Sequence, residues 1–280
     1  MRLTFWGVRG SVATPEADNR VYGGNTPCVE LRLGEGRSLV FDAGLGLRWQ
    51  ANRMLDERPA DNYVEILLSH CHWDHIQGIP FAPVMYVPRN HVTIYGAGYP
   101  HRPLLANLME QLRPEFCPVP NFFHAEVGAN VNVSPLTSDP WFEALGARVR
   151  WGFLPRGNTS SIVVGYRVDF QGKKVAYLTD VEYVGRPEDC NEAMELADGV
   201  DVLIHDAQFL PDEREATRDR GHSTYEDAIA LARAAGAKRL ICTHHDPSRS
   251  DRELDEVSAW LRQIGDFKVE VAREGMEFEL

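Results

Sequence analysis

The chain has 280 residues and carries 41 acidic against 29 basic side chains, a formal net charge of −12. That length buries a substantial core, and the acidic balance argues against a surface built to grip long nucleic acid, which needs a basic face. A small anionic substrate drawn in by metal cations remains compatible with it.

Short β-rich runs come first, at Leu3–Val8, Cys28–Leu33 and Ser38–Phe41, separated by Gly, Pro and Asn clusters. Leu45–Leu55 has helical spacing, and Tyr63–Leu68 is a nearly continuous apolar run, which reads as a buried strand leading into a loop. A strand at Val92–Tyr95 and a short helix at Leu104–Leu112 follow. From about Pro114 to Trp141 the pattern dissolves into Pro, Asn and Phe, which predicts an irregular insertion at about 114–141. Strands resume at Arg148–Phe153, Ser161–Phe170 and Lys174–Leu178. The last third alternates: helix Asp189–Ala197, strand Asp201–Ile204, helix Thr224–Ala235, strand Arg239–Thr243, helix Asp251–Ile264 and strand Lys268–Val271. Two halves, each a β meander followed by βα units, predict an α/β protein with facing sheets and helices outside, in a single domain over 1–280.

Five cysteines (Cys28, Cys71, Cys117, Cys190, Cys242) are scattered with no CxxC pair, as in reduced intracellular proteins. The N-terminus lacks the long apolar core of a signal peptide. No stretch approaches the roughly eighteen apolar residues of a membrane span. A cytoplasmic protein without a membrane partner is the expectation.

The strongest chemical signal is Ser69-His70-Cys71-His72-Trp73-Asp74-His75, directly after the buried strand. Its imidazoles and carboxylate are N and O ligands suited to Zn²⁺, Mn²⁺ or Fe²⁺. On an extended segment His70 and His72 point the same way. Once the chain turns helical, Asp74 and His75 swing to an adjacent point, so one loop serves two metals able to clamp a phosphoryl or carbonyl oxygen. The bland alternative, a surface loop that happens to be His-rich, suits a lone His-x-His better than this cluster at a strand end.

This pattern resembles the signature of the metallo-β-lactamase superfamily, and the likeness runs along nearly the whole chain. Phe5–Ser11, Tyr22–Leu31 and Phe41-Asp42-Ala43-Gly44 resemble the superfamily's N-terminal half. The resemblance implies a four-layer αβ/βα sandwich. It also makes Asp42 the residue that props the metal loop, although an Asp before a small residue and a Gly is commonly just a turn residue. By the same resemblance Asp180, after Tyr177-Leu178-Thr179, bridges two metals, and His244, after Leu240–Thr243, closes the second site. Taken alone, Asp180 reads equally as a solvated or capping residue. His245 is expected to point the other way.

Two further motifs narrow the branch. His205-Asp206-Ala207-Gln208-Phe209 and Gly221-His222-Ser223-Thr224 resemble paired motifs of ribonuclease Z and related phosphodiesterases. There His222 contacts the scissile phosphate or gives a proton to the leaving oxygen, and Asp206 orients it. A His held by a carboxylate suits either task near neutral pH. The competing reading is that Ser223 or Thr224 caps the following helix, and His222 merely precedes the cap. The implied metal ligands are therefore His70, His72, Asp74, His75, Asp180 and His244, with Asp74, His222 and Asp206 as the catalytic set. The implied cofactor is one or two divalent ions per chain, zinc first, with manganese or iron as alternatives.

In one place the sequence departs from its family. Members of the branch carry a further His on a strand before the segment matching Gly165-Tyr166-Arg167, and Phe153–Ser161 holds none. Arg156 or Asn158 lies near that place. Arg is no ordinary metal ligand, because its guanidinium stays protonated; Asn offers only a carbonyl oxygen. Three explanations stay open: a weakly bound first metal, His124 filling in from the irregular segment, or Arg156 replacing the metal's charge and holding a substrate phosphate. The second site, Asp74, His75, Asp180 and His244, reads as complete.

The resulting expectation is a metal-dependent hydrolase that cleaves a small or cyclic phosphodiester with metal-activated water. Processing of tRNA 3′ ends is an alternative, against which Pro114–Trp141 holds acids and no Lys or Arg. Hydrolysis of a lactone, lactam or thioester, or a non-catalytic sensor that kept the fold and one metal, are others. The resemblance also admits a homodimer.

Overall fold

The computed structural model describes residues 1–99, 101–119, 128–159, 161–264 and 267–280. In chain order its strands are β1 (Arg2–Gly7), β2 (Cys28–Gly34), β3 (Arg37–Phe41), β4 (Tyr63–Leu67), β5 (His91–Gly96), β6 (Asn130–Pro135), β7 (Trp141–Ala144), β8 (Ala147–Leu154), β9 (Val163–Phe170), β10 (Lys173–Leu178), β11 (Val202–Asp206), β12 (Arg239–Thr243), β13 (Lys268–Val271) and β14 (Glu277–Glu279). The α-helices are α1 (Gly46–Glu57), α2 (Trp73–Ile76), α3 (Leu104–Glu110), α4 (Asn191–Ala197), α5 (Tyr225–Ala234) and α6 (Asp251–Leu261).

One seven-stranded sheet runs β14-β1-β2-β3-β4-β5-β6, and the other β13-β12-β11-β10-β9-β8-β7. In each, a meander of antiparallel strands gives way to four parallel ones: β3 to β6 in the first, β10 to β13 in the second. Parallel strands with both faces covered are apolar along their whole length, and β11 is buried at every residue. The inner faces meet in a shared core that includes Leu31, Phe41, Val149, Tyr166, Tyr177 and Ile204. Outside the first sheet, α1 and α3 cover a core with Leu47, Ile66, Ile94 and Leu108. Outside the second, α4, α5 and α6 cover one with Leu178, Leu196, Leu231 and Leu254. The four-layer αβ/βα sandwich is thus present.

The segment at about 114–141 departs from the irregular insertion expected there. Asn130–Pro135 pairs in parallel with β5 as strand β6, because Asn130-Val131-Asn132-Val133 alternates with period two and packs Val131 and Val133 on the core. The edge strand β14 was also unforeseen: three residues give no periodic signal, and only its pairing with β1, far away in sequence, makes it a strand. His124 lies outside the described residues. Among the described residues, no helix is long and apolar enough to cross a membrane.

What this topology does for function is to point strand ends at one place. The carboxyl ends of β3, β4, β10, β11 and β12 lead into Asp42, Ser69–His75, Asp180, Asp206 and His244. Open α/β sheets place their sites there as a rule. Three of these residues leave their strands with positive φ: Asp42 at 58°, Asp180 at 54° and His244 at 63°. For residues with a Cβ the left-handed region is costly and is kept mainly where surrounding contacts enforce it.

Candidate metal centre

After β4 the chain passes through Ser69–His72 and enters the single turn of α2, which carries Asp74 and His75. The turn folds these two against Asp180 and His244 from the other sheet. His75 Nε2 lies 3.2 Å from Asp74 Oδ2 and 3.1 Å from Asp180 Oδ2, and His244 Nε2 lies 3.3 and 3.2 Å from the same two oxygens. A tetrahedral ion with ligand bonds of about 2.0 Å needs donors about 3.3 Å apart. The four separations between an imidazole and a carboxylate match that size, and all four residues are all but closed to solvent.

The remaining hydrogen bonds fix which ring nitrogen faces the cage. His75 Nδ1–H donates to Asp42 Oδ2 at 2.7 Å, and His244 Nδ1–H donates to Gln208 Oε1 at 2.9 Å. Each leaves its Nε2 lone pair directed at the common point, as outer partners of metal-binding histidines do. His75 Nε2 is buried with no hydrogen-bond partner among the described residues, an expensive state unless a cation occupies the cage. Asp42, wholly buried, also accepts from the Ser69 amide, the Ser69 hydroxyl and Tyr177 Oη. The prop that resemblance implied for Asp42 has its geometry here. Charge follows the same layout. Burial opposes ionisation of Asp74, but His75 and His244 beside it hold its carboxyl far below the usual range. Burial likewise opposes charge on His244, and Asp180 and Asp74 overcome it and raise the imidazole.

Sequence reasoning missed the lid of this cage. Val8–Gly10 extends beyond β1 and hydrogen-bonds His245, so that the Ser11 amide donates to Asp74 Oδ2 at 2.9 Å. A Cβ on Gly10 would stand 2.5 Å from His244 Nδ1, so only glycine passes. Arg9, fully buried, ties the same segment to the carbonyls of Gly23, Asp246 and Arg249. The Arg-Gly-Ser triplet was visible in the sequence, but its partners range from Gly23 and Asp74 to His245 and Arg249. His245 donates from Nε2 to the Ala272 carbonyl and turns away from the cage, as expected.

His222 and Asp206 come together as a pair. Asp206 Oδ2 accepts from His222 Nδ1 at 2.9 Å, and its Oδ1 is held by the Gln208 amide. The His222 ring stacks on His244 with centroids 4.9 Å apart and lines a cavity of about 400 Å³. Thr224 is the N-cap of α5, reciprocated by Asp227, and His222 sits two residues before it. Arg214 and Asp219 also line the cavity, Arg214 pairing with Asp227.

On the other side of Asp180 the expected first site takes a different form. His70 Nδ1 is held by Ser69 Oγ at 2.9 Å, and its Nε2 lies buried 3.5 Å from Asp180 Oδ1. Asn158 hydrogen-bonds Asp219 instead of joining His70. Arg156 reaches in, donating from Nη2 to Asp180 Oδ1 at 2.8 Å and from Nη1 to His72 Nδ1 at 3.0 Å. A guanidinium only donates, so His72 Nδ1 accepts, while Nε2 lies 3.3 Å from Ser161 Oγ and 3.4 Å from Arg156 Nη1. Burial, and then Arg156, hold His72 down at about 4. Both nitrogens of His72, expected as a ligand of the first metal, thus have neighbours in Arg156 and Ser161. Among the described residues the metal-capable groups are His70 with His75 and Asp180, Asp74 with His75 and His244, and Asp180 with His222 and His244; none includes His72.

Two facing sheets with a buried His/Asp cage at their strand ends define a metal-dependent hydrolase. The chain belongs to the β-lactamase superfamily: the sequence model of the "Beta-lactamase superfamily domain" matches residues 37–245. It is similar to a ribonuclease Z of Ignicoccus hospitalis, 28% identical over 262 residues that cover 79% of this chain and 83% of the relative. Among solved structures it resembles a diphosphatase from the PhnP family, with a TM-score of 0.70 at 20% identity, covering 100% of this chain and 97% of the other. It also resembles Zn²⁺-bound PqqB from Methylobacterium extorquens, with a TM-score of 0.68 at 17% identity and 100% of both chains covered. The family and the donor set together make the centre one for a divalent metal.

Proposed function

We propose that this hydrolase cleaves phosphodiesters, small or cyclic ones, with zinc held by Asp74, His75, Asp180 and His244. The observation that carries the reading is His222, pinned at Nδ1 by Asp206 and stacked on His244 beside the cage. Two imidazole and two carboxylate donors suit the four-coordinate habit of Zn²⁺ better than the octahedral preference of Mn²⁺. When bound, the ion supplies Lewis-acid polarisation and activation of water.

The chain's own groups do the rest. With Nδ1 engaged, His222 has Nε2 available to a group bound in the cavity, where it donates a proton to the leaving oxygen. Asp206 is a positioning residue: it fixes the tautomer and stabilises the charged ring through Nδ1. Asp42 and Gln208 keep His75 and His244 aimed at the cage. The cavity, about 400 Å³, is of small-ligand size. With the net charge of −12, it favours a small diester over a long polynucleotide. The names of the relatives, a ribonuclease and a diphosphatase, both describe cleavage at phosphorus.

A panel of an aryl phosphodiester, cyclic nucleotides, a precursor tRNA and a lactone, each with Zn²⁺ and Mn²⁺, tests the reading. Hydrolysis of the small diesters is expected, with kcat lowered by about 10²–10⁴-fold in His222→Ala and metal content unchanged. Site-specific cleavage of the precursor tRNA, with no turnover of small diesters, replaces the substrate class with RNA. Lactone turnover alone refutes the phosphoryl reading.

A further inference from the structure

On the Oδ1 side of Asp180, His70 Nε2 is buried without a hydrogen-bond partner among the described residues, but the other donors of a second ion are already taken. An ion among His70, His72 and Asp180 would need the lone pairs of His72 Nδ1 and Asp180 Oδ1, and Arg156 holds both, at 3.0 and 2.8 Å. It would also sit against a cation that does not deprotonate. We propose that Arg156 takes the place of the first metal, so that the protein holds one catalytic ion, in the Asp74–His75–Asp180–His244 cage, with a guanidinium as its second fixed positive charge. Asp180 then still bridges two cations, one through each oxygen, but only one of them is a metal.

The guanidinium is delivered there by a dedicated scaffold. Gly157 N donates to the Glu182 carbonyl at 3.1 Å, and Glu182 N donates to the Pro155 carbonyl at 3.1 Å, clamping the backbone on both sides of Arg156. The Glu182 carboxylate accepts from the amides of Asp219 and Gly221 at 2.7 and 2.6 Å, which joins the loop before His222 to the same clamp. Gly221, with φ of 84°, lets the arginine stem through: a Cβ there would stand 2.4 Å from Arg156 Nε and 2.7 Å from its Cγ. Arg156 itself is 7% exposed. A surface arginine that had folded inward by chance would have no such channel. The cage on the Oδ2 side has its outward nitrogens capped and its inward ones facing the two carboxylates, with no guanidinium among them.

The proposal rests on the cage as the ion's seat and is independent of which ester is cleaved. Protein stripped of metal and dialysed against Zn²⁺ or Co²⁺ is expected to hold one ion per chain by elemental analysis. His72→Ala is expected to keep that ion with unchanged affinity, because His72 is not among its ligands. Arg156→Ala releases His72 Nδ1 and Asp180 Oδ1 beside His70 Nε2, and the count is expected to rise to two. Arg156→His is expected to do the same with a further nitrogen. Adding His72→Ala to Arg156→Ala is expected to return it to one. Two tightly held ions in the unaltered protein overturn the proposal, and so does loss of the ion in His72→Ala. Arg156 variants that are folded by circular dichroism and both stay at one ion overturn it as well. A protein that takes up no ion, and shows no visible Co²⁺ bands, refutes the cage itself, which is a separate failure.

Discussion

The two oxygens of Asp180 face pockets that share the same His-rich loop and differ in what completes them. On the Oδ2 side, Asp74, His75 and His244 form with Asp180 an inward-facing set of donors 3.1–3.3 Å apart, imidazole to carboxylate. On the Oδ1 side, His70 and His72 have as their third partner an arginine that fills the centre with its own charge. Both arrangements neutralise a buried carboxylate, which would otherwise be costly. They differ in that one leaves coordination to an exchangeable ion and the other builds the cation into the chain. A ligand set is therefore read from its fourth member, because three donors fit either solution.

The contrast can be broken first at the cage. His244→Ala removes one wall, and loss of the bound ion is expected by elemental analysis. Turnover should fall by at least about 10³-fold, since a metal's several kcal/mol of transition-state stabilisation converts at about 1.4 kcal/mol per tenfold. Full activity with the ion retained would place the seat elsewhere. A subtler cut is Asp42→Asn, which leaves every cage donor in place and weakens the hold on His75 Nδ1 together with the bonds from Ser69 and Tyr177. Competition with a chelator should show metal affinity lowered by about 10–100-fold; an unaltered affinity would make Asp42 a folding residue alone. The smallest effect belongs to the arginine side. Gly221→Ala puts a Cβ against the Arg156 stem at φ of 84°, and urea unfolding should register a loss of about 1–3 kcal/mol. The cage ion should remain; its loss would mean that the two sides are not separable.

Much of the cage was legible in the sequence. His-x-His-x-Asp-His after an apolar run marks ligands because local geometry alone brings Asp74 and His75 together on one turn, and the strand-end positions of Asp180 and His244 were readable from the apolar runs before them. The pairing of His222 with Asp206 was also within reach, since each lies in a motif with a chemical rationale. The Gly10–Ser11 lid and the role of Gln208 were not, because each acts on a residue distant in sequence, with no local pattern to announce it. Strand β6 was legible in principle: its Asn-Val alternation is a period-two signal hidden by the Pro- and Phe-rich stretch before it.

The sequence by itself determined the chemistry on offer: which side chains are metal donors, that one His of a familiar set is missing, and that Arg156 lies near the gap. Only the tertiary structure decided what occupies that gap. A long flexible side chain has no fixed reach in one dimension; its end point depends on the Glu182 clamp and on the passage over Gly221, made by residues 26 and 65 positions further along the chain. The missing histidine therefore read as an incomplete site, and the fold shows a site completed by a different kind of cation.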